Sequence, residues 1–152
     1  MNLQMKLTTS AIAFALSLGL LSANETRLYV SIETGTKQNS STDSRVYLSV
    51  NKEEKSYLLD IPGKNDREAG ATDTYEAILL DIKPEDIEWI SIRIEGDDAW
   101  YPERFHFHVK QGDNESEKLS IRNRKWMSSV KEKVRSKEVL KLRIKGKLKI
   151  ED

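Results

Sequence analysis

The sequence predicts an all-β chain, an antiparallel β-sandwich of about eight strands followed by a basic C-terminal extension. Two observations carry this. Apolar residues recur at every second position in one run after another, which is the period of a half-buried strand. Between the runs lie clusters rich in Gly, Pro, Asn, Asp and Ser that turn the chain: TGTKQNSSTDS, VNKEEK, IPGKND, IKPED, EGDDAWYPE and KQGDNES.

In RLYVSIET, Leu28, Val30 and Ile32 share a face, and in SRVYLSV, Val46, Leu48 and Val50 do the same. KSYLL reads as a short strand. TYEAILL alternates through Tyr75, Ala77 and Leu79. EWISIRI lines up Ile90, Ile92 and Ile94, RFHFHV lines up Phe105, Phe107 and Val109, and KLSIR adds a short strand. The inner faces of two such sheets would form the core. SSVKEKVRSKE allows a helical turn or two, with Val130 and Val134 four apart. VLKLRIKGKLKI then sets Leu140, Leu142, Ile144, Leu148 and Ile150 against Lys141, Arg143, Lys145, Lys147 and Lys149. This predicts an edge strand or hairpin with a basic outer face. Lysine on an edge strand is also a guard against aggregation, and both readings stand.

Three segments follow: 1–23, a cleaved signal peptide; 24–127, the sandwich; and 128–152, the basic extension. The leader has one basic residue, Lys6, an apolar stretch from Ala11 to Leu21, and small residues at Ser22 and Ala23. That stretch is short beside the about 20 residues of a membrane span, although a retained anchor is the alternative. No later apolar run is long enough to span a bilayer. Cysteine is absent, which removes disulfides and a lipoprotein attachment site. The expectation is a soluble, exported protein, periplasmic or secreted.

Charge divides the chain. Residues 24–109 hold 10 Lys and Arg against 18 Asp and Glu, a balance of −8. Residues 110–152 hold 14 against 7, a balance of +7. An acidic body suits cation binding, and a basic tail suits anionic lipid or an acidic partner. Export argues against nucleic acid. Catalytic signatures are missing: there is no Gly-rich phosphate loop and no Gly-x-Ser-x-Gly elbow. His106 and His108 share a strand face, but the sequence offers them no clear third metal ligand. No nucleophile, base and oxyanion site can be named together, so a small hydrolase is a remote alternative.

Three loops are rich in hard oxygen ligands: residues 34–44, ending near Thr42 and Asp43; residues 60–66, D-I-P-G-K-N-D; and residues 96–103, G-D-D-A-W-Y-P-E. Calcium takes six to eight oxygens in irregular geometry, so scattered loop ligands suffice. Plain turns are the competing reading.

The order YVSIETG … STDSRVYL, AGATDTY, then DIEWISIRIEGDD … WYPERFHFHV resembles a PLAT domain, also called the lipoxygenase homology domain, over about residues 27–126. Within that family it most resembles the C-terminal membrane-binding domain of alpha-toxin-type bacterial phospholipases C. The resemblance implies loops that bind calcium and, through it, phospholipid headgroups. Carried over by position, it makes Asp98 a carboxylate ligand beside the Ala99 carbonyl. Asp60, Asn65 and Asp66 would supply side-chain oxygens, Gly63 a carbonyl, and Thr42 and Asp43 the rest. Trp100 and Tyr101 would either reach the bilayer interface, which these residue types favour, or pack on the sandwich edge. Two departures weaken the match. Lys64 is inserted between Gly63 and Asn65, where its ammonium would repel a cation if turned inward. The first loop is a residue longer, with Gln38-Asn39-Ser40-Ser41 where the family offers an Asp and a Gly. One calcium site is therefore expected to be weakened or lost. The function implied is a non-enzymatic module for calcium-dependent binding to a phospholipid membrane surface. Docking of a protein partner is the alternative.

Overall fold

The computed structural model describes residues 25–52, 54–130 and 137–151. The predicted leader over 1–23 and residues 131–136 of the predicted helical turn lie outside the described residues. Among the described residues, ten strands form two antiparallel sheets. The first sheet contains β1 (Thr26–Thr34), β4 (Thr72–Thr74), β5 (Ile78–Leu80), β7 (Pro102–Gln111), β8 (Asn114–Glu115) and β9 (Leu119–Arg122). β1 and β7 lie side by side at its centre. β4 and β5 flank β1, and β8 and β9 flank β7. The second sheet contains β2 (Arg45–Val50), β3 (Tyr57–Leu58), β6 (Trp89–Glu95) and β10 (Val139–Arg143), in the order β10-β6-β2-β3. A 3-10 turn at Pro84–Asp86 leads into β6.

The alternation explains the stacking. Leu28, Val30 and Ile32 of β1 and Phe105, Phe107 and Val109 of β7 turn inward and are almost wholly buried. They meet Val46, Leu48 and Val50 of β2 and Ile90, Ile92 and Ile94 of β6 in one core. Burying a side chain of this size contributes roughly 1.5–3 kcal/mol. The C-terminal segment takes part: Leu140 pairs across to Ile92, and Leu140, Ile144 and Leu148 are buried. β10 occupies the outer edge of the second sheet, next to β6.

Two local expectations need correction. TYEAILL is not one strand with Tyr75, Ala77 and Leu79 inward. It divides into β4 and β5, both paired with β1, with residues 75–77 irregular between them. That break shifts the pleat by one residue, so Tyr75, Ile78 and Leu80 are buried and Leu79 is 53% exposed. The tail strand also ends early, at Arg143, although apolar-in, basic-out alternation runs on to Ile150. Residues 145–147 turn, with Gly146 at φ 70, and this carries Leu148 back into the core.

The register gives a direct check. Ile92→Ala should cost roughly 2–5 kcal/mol in urea unfolding, as cavity-forming core truncations do. Leu79→Ala should stay within about 0.5 kcal/mol, as exposed substitutions do.

Candidate functional site

Three connections meet at one end of the sandwich: residues 35–44 between β1 and β2, residues 59–71 between β3 and β4, and residues 96–101 between β6 and β7. Backbone hydrogen bonds tie them together. Thr42 N–H donates to the Arg67 carbonyl at 3.3 Å, and Gly70 N–H reaches the Thr34 and Gly35 carbonyls at 3.1 and 3.2 Å. Gly35 N–H donates to the Tyr101 carbonyl at 2.9 Å, and Tyr101 N–H to the Ser40 carbonyl at 3.0 Å. Gly35 has to be glycine here, because a β-carbon would sit 2.5 Å from the Tyr101 ring.

The third loop is fixed from behind. Trp100 exchanges backbone hydrogen bonds with Met127 at 2.9 and 2.7 Å, and its indole N–H donates to Thr34 Oγ1 at 3.0 Å. Trp100 is wholly buried and Tyr101 is 6% exposed. The Tyr101 ring lies 5.1 Å from the Trp126 ring, with Lys37 Nζ 3.9 Å above it. Of the two roles open to this pair, insertion into a bilayer is overturned by this burial. Both side chains pack into the sandwich end, Trp100 through its hydrogen bonds and Tyr101 between the tilted Trp126 ring and the Lys37 ammonium.

The predicted cation ligands fall into two groups. The first and third loops bring Thr42, Asp43 and Asp98 together. Asp43 N–H donates to Asp98 Oδ2 at 3.4 Å, and Thr42 Oγ1 donates to the Asp98 carbonyl at 3.5 Å. Ser44 Oγ donates to that carbonyl and accepts from Asp98 N–H, each at 3.2 Å. Gly96, at φ 140, lets the chain pass Ser44, whose Oγ a β-carbon would strike. A shallow open hollow results, lined by Asp43, Ser44, Arg45, Glu95, Gly96, Asp97 and Asp98. Sequence reasoning did not select Asp97, Glu95 or Ser44. Asp97 adjoins Asp98, and that doublet was the available signal. Ala99 is buried behind Asp98.

The second loop is arranged differently. Lys64 turns inward, and its Nζ donates to Asp73 Oδ1 at 2.6 Å, while Arg67 N–H donates to Asp73 Oδ2 at 2.6 Å. Asp73 is fully buried. The Arg67 guanidinium pairs with the buried Asp66 carboxylate and donates to the Leu59 carbonyl at 2.8 Å. Burial pushes the Asp66 carboxyl above its ordinary value of 3.8, against the pull of Arg67. Asp60 and Gly63 are exposed, and Asn65 spends its amide N–H on Glu68 Oε1 at 2.6 Å. Asp60, Gly63, Asn65 and Asp66 therefore do not gather at the Asp43–Asp98 hollow by any of these bonds. Tyr75 Oη and Arg67 Nε, at the back of this loop, are buried without a protein partner. Among the described residues, no three His, Asp or Glu side chains converge closely enough to hold a metal ion by themselves.

The histidines lie on the outer face of the first sheet. His106 Nε2 meets Glu33 Oε1 and its Nδ1 meets Ser120 Oγ, both at 2.7 Å. This row ties β1, β7 and β9 together. The His106 hydrogen bond holds the Glu33 carboxyl below its ordinary value of 4.5, with Arg104 adding to it. His108 stacks on Tyr29 at 4.5 Å and meets Glu115 Oε1 at 3.0 Å; burial lowers its pKa and Glu115 opposes that.

Residues 28–141 match the PLAT/LH2 domain family. The fold is similar to that of coral 8R-lipoxygenase, described as activated by calcium via a C2-like domain. The TM-score is 0.58 at 20% identity, over 77% of this chain and 16% of that one. It is also similar to alpha toxin from Clostridium absonum, with a TM-score of 0.58 at 26% identity, over 78% of this chain and 31% of that one. The chain thus spans less than a third of either protein. No curated protein matches the sequence.

Two outcomes test this geometry. Lys64→Ala should lower stability in urea unfolding, because the buried Asp73 carboxylate then lacks its ammonium. For Glu33, a carboxyl held low stabilises the fold when ionised, so its contribution is full above its ordinary value and is lost as pH falls through its lower folded value. Urea unfolding across that acid range should show a shallower loss of stability in Glu33→Gln than in the wild type.

Proposed function

Because this chain belongs to the PLAT/LH2 family, we propose that it is an exported, non-enzymatic module that binds phospholipid membrane surfaces with the help of calcium. The observation that carries this reading is the hollow between the first and third loops. Asp43, Glu95, Asp97 and Asp98 line it with four carboxylates against one cation, Arg45, and among the described residues Asp43, Asp97 and Asp98 have no ion pair with a Lys or Arg. An excess of one sign of charge around an open hollow draws in counter-ions. Asp43, Asp97 and Asp98 are the side chains that would hold calcium here. Calcium prefers six to eight oxygens, so backbone carbonyls, water and a lipid phosphate would complete the set. When bound, the ion would offset the repulsion between these loops and an anionic bilayer.

The second loop does not fit the same role. Its two buried carboxylates are already matched by Lys64 and Arg67. With Trp100 and Tyr101 buried, adsorption at the headgroups replaces aromatic insertion. No helix among the described residues is long and apolar enough to cross a membrane.

Docking of a protein partner is the second reading, favoured by the position of β10 at a sheet edge, where strand addition is possible. Sedimentation with phosphatidylcholine–phosphatidylglycerol vesicles separates the two. The expected result is binding that rises with calcium, and a rise that Asp98→Asn abolishes. Vesicle binding indifferent to both calcium and this substitution would overturn the calcium reading.

A further inference from the structure

The outer face of the second sheet has a chemistry unlike that of the loop end. The register sets Leu58, Tyr47, Arg93 and Val139 in one row across β3, β2, β6 and β10. Ser49, Ser91 and Lys141 form the next row, and Trp89 and Arg143 face each other in the one after. The Arg93 guanidinium lies 4.8 Å from the Tyr47 ring centroid, and that of Arg143 5.9 Å from the Trp89 ring. Leu58 and Val139, at the two margins, are 53% and 37% exposed. Acid is scarce on this face: Glu95 is tied to Arg93. Among the described residues, Lys141 and Arg143 form no ion pair, whereas nearby Lys145 pairs with Glu88 at 2.5 Å and Arg143 acts on Glu88 only at longer range.

Three features of this surface point to one occupant. Its cations stand out on an open sheet face roughly 14 Å across, three strand spacings wide. Trp and Tyr lie among them, and these side chains favour the headgroup level of a bilayer. Exposed aliphatic side chains flank both margins. An acidic protein would match the charge but leaves the marginal Leu58 and Val139 unexplained; a bilayer surface accounts for both, since basic residues are drawn to anionic headgroups while apolar ones dip below them. We propose that the outer face of β10, β6, β2 and β3 is a calcium-independent docking surface for anionic phospholipid, distinct from the loop-end hollow. The proposal rests on the membrane reading above but not on calcium.

The test uses the full chain with a calcium chelator present. Vesicles of phosphatidylcholine alone are compared with vesicles of phosphatidylcholine and phosphatidylglycerol. Binding to the anionic vesicles only, weakening as salt rises, is the expected result. Lys141→Glu with Arg143→Glu should weaken it by about tenfold or more, given the attraction each basic residue contributes near an anionic surface, while Leu79→Ala, exposed on the other sheet, should leave it intact. Lys141→Gln with Arg143→Gln is the milder pair should the reversals impair folding, and it should give a smaller loss in the same direction. No chelator-resistant binding, or equal binding by the charge-altered and wild-type proteins, would overturn the proposal. So would capture by soluble polyglutamate without vesicle binding, which would assign the face to an acidic protein. Chelator-resistant binding that calcium fails to strengthen would sink the calcium reading and leave this one standing.

Discussion

The indole of Trp100 is the constraint on which the loop end depends. It is wholly buried, its N–H is satisfied by Thr34 Oγ1, and its backbone is bridged to Met127. A buried indole N–H without a partner would be costly, so the Thr34 hydroxyl fixes the ring as well as satisfying it. With Trp100 held, Asp98 has one place to be, two residues back along the chain. Tyr101 then lies against Gly35 and draws in the first loop through Ser40. The carboxylate hollow is a consequence of that packing, because neither Asp43 nor Asp98 makes a bond strong enough to impose it.

Acidic residues at this end have been sorted by solvent access. Asp66 and Asp73 are buried, and each is met by a cation of the chain itself; an unpaired buried charge would be strongly destabilising. Asp43, Asp97 and Asp98 stay at the surface, where water screens them and no internal cation is required. For Asp73 the cation is Lys64. It supplies an ammonium from within the loop to a carboxylate that would otherwise need help from solution.

Much of the architecture was legible in the sequence, because period two and a buried face leave a strand little freedom. Ile90, Ile92 and Ile94 lie inward, as do Phe105, Phe107 and Val109. Where the pattern was short it misled. TYEAILL has an apolar residue on both candidate faces, so a single irregular step at residues 75–77 decided which face went in. The site was read less well. That Lys64 turns toward Asp73 is a tertiary fact nine residues away along the chain, invisible to spacing. The fate of Trp100 depended on Thr34 and Met127, which no local window joins to it. Of the outer face of the second sheet, the basic side chains Lys141 and Arg143 were legible in the tail, but only the register brings Tyr47, Arg93 and Val139, from three different strands, into line.

β10 has a consequence for how the molecule comes into being. It supplies Leu140 to the core beside Ile92, and the chain beyond it returns Ile144 and Leu148. They follow every other strand among the described residues. Until they arrive, β6 is an open sheet edge backed by a row of isoleucines, the kind of surface that pairs with whatever strand it meets. The second sheet therefore closes only after β10 has been made, and a chain cut short before Val139 would keep that edge open.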